Sequence, residues 1–153
     1  MDSKSQTTAS QSTLPLVGTW RLVSVTVETD TDTLHPMGHT PIGTLIYADN
    51  NRFSVQLMPS GRSHCAANDL FNATDEEIVA NARYVVSYFG HFECDMDEGI
   101  VVHHIEGSLF PNWEGASLKR NLSLEADRLT LKSEPMSVGG KEAVAVIEWQ
   151  IQE

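Results

Sequence analysis

From Leu14 onward, apolar and polar residues alternate through most of the chain, and Gly, Asn and Asp mark the breaks. A period of two interrupted by turn formers is the pattern of antiparallel strands with one buried face. Such runs cover residues 17–28, 43–47, 52–58, 88–95, 100–110, 116–125, 128–133 and 143–150. A polar, Pro-containing loop, "TDTDTLHPMGHTPIG", follows the first run, and "ADNN" turns the second into the third as a hairpin. No segment repeats, so residues 14–153 read as one domain behind a polar tail of residues 1–13 predicted to be disordered.

One stretch, "NATDEEIVANARYVVSYFG", changes period. Thr74 followed by Glu77 forms a capping box, and Asp75, Glu76 and Glu77 suit the positive end of a helix dipole. Ile78, Ala82, Val85 and Phe89 recur at helical spacing, and Gly90 can end the run. The pattern predicts one helix that packs its apolar stripe on the sheet and closes one end of the fold. About eight strands and one helix favour a closed barrel or a sandwich. A barrel of that size has room for one small ligand.

Parity then sorts the side chains, because neighbours on a strand face opposite ways. With a turn at 96–99, Cys94 pairs with Val101, Phe92 with His103 and Gly90 with Ile105, all on the apolar face. The outer face pairs Glu93 with Val102, His91 with His104, and Phe89 with Glu106. The next hairpin points Leu118, Arg120, Leu122 and Leu124 inward, with Arg120 opposite Ser133. In the last strand Trp149 looks inward. In the first, Trp20 and Leu22 share one parity while Val23, Val25 and Val27 share the other, which predicts a bulge near Leu22.

Charge and composition remove several classes of partner. The formal net charge is −11 and 41% of residues are hydrophobic. An excess of acid argues against nucleic acid and against anionic membranes. No apolar run reaches the length of a membrane span, and no secretory leader is visible, which predicts a cytoplasmic protein. Cys65 and Cys94 form no motif and are expected as free thiols. The chain lacks a GxSxG elbow, a phosphate loop and a dinucleotide fingerprint, and "DMDEG" is too short for a calcium loop.

What remains is a small set of polar groups predicted inside an apolar chamber. His103 can act as general acid or base, Arg120 can hold an enolate or carboxylate, and Tyr88 lies near the helix junction. Each also has a plain reading: a hydrogen-bonded core histidine, and an arginine paired with an acidic loop residue at the barrel end. Phe92, Trp113 and Trp149 would shape a substrate, with Asn112 beside Trp113 at the rim in "FPNWEG". His104, Glu106 and His91 cluster on the outer face. There His104 and Glu106 are candidate substrate contacts, with subunit contact and a weak metal-like spacing as the other readings.

The segments "LVGTWRLVSV", "HPMG", "GTLIYADNNRFSVQLM", "YFGHFECDMDEGIVVHHIEGSLFPNW" and "RLTL" together resemble the lipocalin-like domain family of bacteria and fungi, across nearly all of residues 14–149. The resemblance implies an all-β, antiparallel, lipocalin-like barrel of about eight strands with a central ligand cavity. Some fungal relatives occur among natural-product biosynthesis genes, where small barrels act as cofactor-free cyclases or isomerases. The expectation is a barrel that binds a hydrophobic, oxygenated, polyketide-like molecule and isomerises or cyclises it, with His103, Arg120 and Tyr88 catalytic and no cofactor or metal. The alternatives are a non-catalytic carrier and a homodimer built on the outer face.

Overall fold

The computed structural model describes residues 14–153, so the predicted tail lies outside the described residues. The strands are β1 (Gly18–Glu28), β2 (Thr33–Leu34), β3 (Ile42–Tyr47), β4 (Arg52–Met58), β5 (Val86–Asp95), β6 (Ile100–Ser108), β7 (Ser117–Glu125), β8 (Arg128–Ser133), β9 (Met136–Val138) and β10 (Lys141–Gln152). Helix α1 (Asp75–Ala82) lies between β4 and β5. The ring runs β1-β3-β4-β5-β6-β7-β8-β10 and closes where β10 pairs antiparallel with β1, from Thr19 against Gln152 to Glu28 against Val144. This is a closed eight-stranded antiparallel barrel. The two shortest strands, β2 and β9, extend the edges of β1 and β10 and were not legible as alternating runs.

The floor is made by the segment that leads into β1. Leu16 and Trp20 are fully buried, and Trp20 Nε1 donates to the Leu16 carbonyl at 2.9 Å. Because neighbouring strands alternate in direction, the start of β5 and the end of β6 lie at the opposite rim. The bulge expected in β1 is present as a register shift between Leu22 and Ser24, and it lets Trp20, Leu22, Val25 and Val27 all reach the interior.

The β5–β6 hairpin departs from the expected pairing at one point. A register shift between Phe89 and Gly90 sets Phe89 opposite Gly107 and leaves Glu106 as the extra residue, so Phe89 does not face Glu106. Bare backbone at Gly90 permits this, because a Cβ there would strike the His104 carbonyl oxygen. The Phe89 ring lies over Gly107 on the outer face, where the absent side chain leaves room.

The helix is shorter than its spacing predicted. The capping box forms as expected, with Glu77 N–H donating to Thr74 Oγ1 at 3.2 Å and Thr74 N–H to Glu77 Oε1 at 2.9 Å. It ends at Ala82, however, and Phe89 and Gly90 belong to β5. The alternating "VSYFG" run obtains a full ladder of bonds from β4 and β6, which outweighs its helical spacing. Nor does α1 bury an apolar stripe on the sheet. No helix residue is buried, and Ile78 and Val79 stay half exposed at the rim.

Overpacking the hairpin should be costly. Gly90→Ala is expected to lower unfolding free energy by about 1–3 kcal/mol, read as a lower urea midpoint with an unchanged slope.

Candidate functional site

Inside the barrel, four aromatic residues surround one imidazole. His103 on β6 is 1% exposed, and its ring stacks on Phe53 of β4 with centroids 4.3 Å apart. Tyr47 at the end of β3 places its hydroxyl 2.7 Å from Nε2, and Tyr88 on β5 places its own 3.3 Å from Nδ1. Phe92 packs on Tyr47 at 4.7 Å. Burial, reinforced by the Arg120 cation and then by His104, holds the His103 pKa down to about 3. The ring is therefore neutral near pH 7, with one N–H and one lone pair. One tyrosine donates to it and the other accepts from it. Burial also raises the Tyr47 pKa well above its usual value, so that phenol stays protonated.

Arg120 on β7 is 8% exposed and pairs in register with Val101 and Ser133, as parity required. The acidic loop residue of the plain reading is not paired with it among the described residues. Its one hydrogen bond among the described residues is a long donation from Nη1 to the Lys119 carbonyl at 3.4 Å. Ser133 makes no bond to it, and its Oγ accepts from the Ala145 N–H. Trp149 also points inward, fully buried, and its indole N–H has no acceptor among the described residues.

His104 and Glu106 stand on the outer face, apart from this cluster. His104 bonds Ser117 Oγ through Nδ1 at 2.7 Å and Glu93 through Nε2 at 2.8 Å. Glu106 takes both terminal nitrogens of Arg52, at 2.6 and 3.0 Å, and His91 stacks on His104 at 4.7 Å. The carboxylates are thus committed to surface partners. Both cysteines are free thiols.

An apolar cavity of about 510 Å³ opens at the rim opposite the floor, lined by Ile78, Val79 and Ala82 of α1 and by Leu109, Phe110 and Trp113. The exposed helix stripe thus forms one wall of a cavity. Trp113 closes a short helical turn, Pro111–Trp113, that also carries Asn112, which is exposed. Trp113 meets Phe110 edge-on at 5.5 Å and Tyr88 edge-on at 5.6 Å. Tyr88 therefore touches both the rim and the interior histidine.

The sequence model of the lipocalin-like domain family matches residues 17–151, nearly the whole described barrel. The chain belongs to the lipocalin-like domain family. It is also similar to the 4'-hydroxy-3'-methoxypropiophenone carrier protein of Aspergillus oryzae, with 27% identity over 104 residues, covering 63% of this chain and 94% of that protein. Among the described residues no helix is long and apolar enough to cross a membrane.

Of the interior residues expected from sequence, His103, Arg120, Tyr88, Phe92 and Trp149 do converge inside, and Trp113 sits at the rim. Tyr47 and Phe53 were missed as site residues. Their signal was present, since Tyr47 shares parity with Leu45, and Phe53 with Val55 and Leu57.

The low pKa of His103 makes acid stability diagnostic. Below about pH 6.5 the unfolded chain takes up a proton that the folded ring refuses until about pH 3, so stability falls across that interval. His103→Gln should flatten the loss between about pH 6.5 and 4.5, above the range of ordinary carboxylates. Urea unfolding of both proteins at stepped pH measures it.

Proposed function

We propose that this barrel binds a hydrophobic, oxygenated aromatic molecule and holds it without chemical change, as a carrier. The observation that carries the reading is the position of Tyr88. Its ring edge meets Trp113 in the apolar rim cavity while its hydroxyl reaches His103 inside. A ligand body seated against Trp113 and Phe110 would thus find a line of hydroxyl and imidazole groups leading inward. An apolar cavity with a few convergent polar groups is the usual form of a small-molecule site. The carrier role named for the Aspergillus oryzae relative supports the same reading, and its phenolic ketone is a chemically matched first probe.

The histidine favours holding over turnover. With its pKa near 3 and both nitrogens engaged by tyrosines, His103 is a weak base with no free lone pair for a substrate. A second reading, a cofactor-free isomerase or cyclase, keeps one observation on its side. Tyr47, His103 and Tyr88 form a continuous proton relay, and the Arg120 cation acts on both Tyr47 and His103. In that reading an α-proton leaves the ketone for the relay, Arg120 pairs with the enolate oxygen, and the proton returns at another position.

Titration with 4'-hydroxy-3'-methoxypropiophenone, followed by tryptophan fluorescence or calorimetry, tests the binding. Trp113→Ala should weaken it about tenfold, a loss of about 1.4 kcal/mol. Wild-type protein that binds neither this ketone nor related aryl ketones would overturn the reading. For the enzyme reading, the same ketone in D2O should lose its α-proton NMR signal faster with wild-type protein than with Tyr47→Phe. Exchange no faster than buffer alone leaves the carrier.

A further inference from the structure

We infer that the ligand of this barrel is bound as an anion, with an ionised oxygen acid (a carboxylate, or an enolate or phenolate conjugated with a ketone) paired to Arg120 inside the barrel. The inference rests on the binding reading above and adds the charge of the occupant.

Three observations converge on it. The first is the cation itself. A guanidinium cannot shed its charge, and burying one without an anionic partner is strongly unfavourable. Arg120 is 8% exposed, yet its one hydrogen bond among the described residues is a long donation to a neutral backbone carbonyl. Every ion pair among the described residues lies elsewhere: Arg52 with Glu106, His91 with Glu106, His104 with Glu93, Lys119 with Glu134, and Arg128 with Glu148. Among the described residues, no carboxylate is spent on this buried cation.

The second is space. Leu118, Leu122 and Leu124 share the inward parity of Arg120 on β7, and all three stay partly exposed. On adjacent β8 the inward Leu129 and Leu131 are fully covered. The inward leucines beside Arg120 thus keep more exposure than those of the neighbouring strand.

The third is the indole N–H of Trp149. It faces the barrel interior, fully buried and without an acceptor among the described residues. A buried donor left without an acceptor is unfavourable, and a ligand carbonyl or hydroxyl would satisfy it.

Surface charge makes the assignment selective. A net charge of −11 repels anions from the exterior, so affinity for an anionic ligand must come from a local, desolvated cation. The tyrosines extend the recognition, because the hydroxyl that accepts from the His103 ring keeps its own hydrogen free for an incoming oxyanion. A phenol para to a ketone is a vinylogous acid, so a phenolic aryl ketone falls within the class.

Two fluorescent probes that differ only by one charged group test the charge. They are 8-anilinonaphthalene-1-sulfonate, an anion, and N-phenyl-1-naphthylamine, its neutral counterpart. Wild-type protein should bind the sulfonate at least tenfold more tightly. Arg120→Gln should collapse that ratio toward one, and Arg120→Lys should restore most of it, with circular dichroism confirming that each variant folds. Equal wild-type affinities, or a ratio that Arg120→Gln leaves intact, would overturn the inference while leaving a binding barrel in place. Failure of wild-type protein to bind either probe would overturn both. Should Arg120→Gln not fold, the wild-type ratio and its value in Arg120→Lys still decide the matter.

Discussion

Closure of the sheet by the β1–β10 ladder is the constraint on which everything else depends. Nine pairs from Thr19–Gln152 to Glu28–Val144 turn an open sheet into a ring. Once the ring exists, every strand has an inside and an outside, and one residue of slippage would exchange them. The polar interior is thus set by backbone hydrogen bonding before any side chain acts. The bulge between Leu22 and Ser24 belongs to the same device, since it changes the parity of β1 without opening the seam.

Within that ring, polarity is rationed. His103, Arg120 and Ser133 are the buried polar or charged residues among the described ones, together with the hydroxyls of Tyr47 and Tyr88. His103 and Ser133 are satisfied locally, while Arg120 and the Trp149 indole are not. A fold stabilised mainly by burial tolerates such unmet groups poorly unless they serve a ligand. The interior therefore divides into the tyrosine–histidine network, whose polar groups are paired, and Arg120 of β7 with Trp149 of β10, whose polar groups are not. The outer cluster of His104, Glu93, Ser117, Glu106 and Arg52 is closed upon itself.

The rim completes the picture. Helix α1 is capped at its N-terminus but carries no buried residue, so tertiary packing holds it loosely. Its half-exposed Ile78 and Val79 gain cover from whatever occupies the cavity they share with Phe110 and Trp113. A helix that forms one wall of an entrance, and is not sealed to the sheet, suits a site that must fill and empty.

Much was legible in the sequence, because a period of two leaves little freedom once hairpin turns are placed. The inward facing of His103, Arg120, Tyr88 and Trp149 and the Arg120–Ser133 pairing followed from alternation alone. Local chemistry likewise sufficed for the Thr74–Glu77 cap. Other features needed the third dimension. The helix end at Ala82 was decided by the ladders that β4 and β6 offer to β5, and the Phe89–Gly107 register by the close approach of His104 to Gly90. Tyr47 meets His103 across 56 residues of chain, and no local pattern encodes that distance. The alternative reading of Arg120 as the partner of a loop carboxylate found no such pair among the described residues, because pairing depends on where loops land. Alternation along a strand is a short-range property and survives in one dimension, whereas who meets whom across a barrel is settled only when the ring closes.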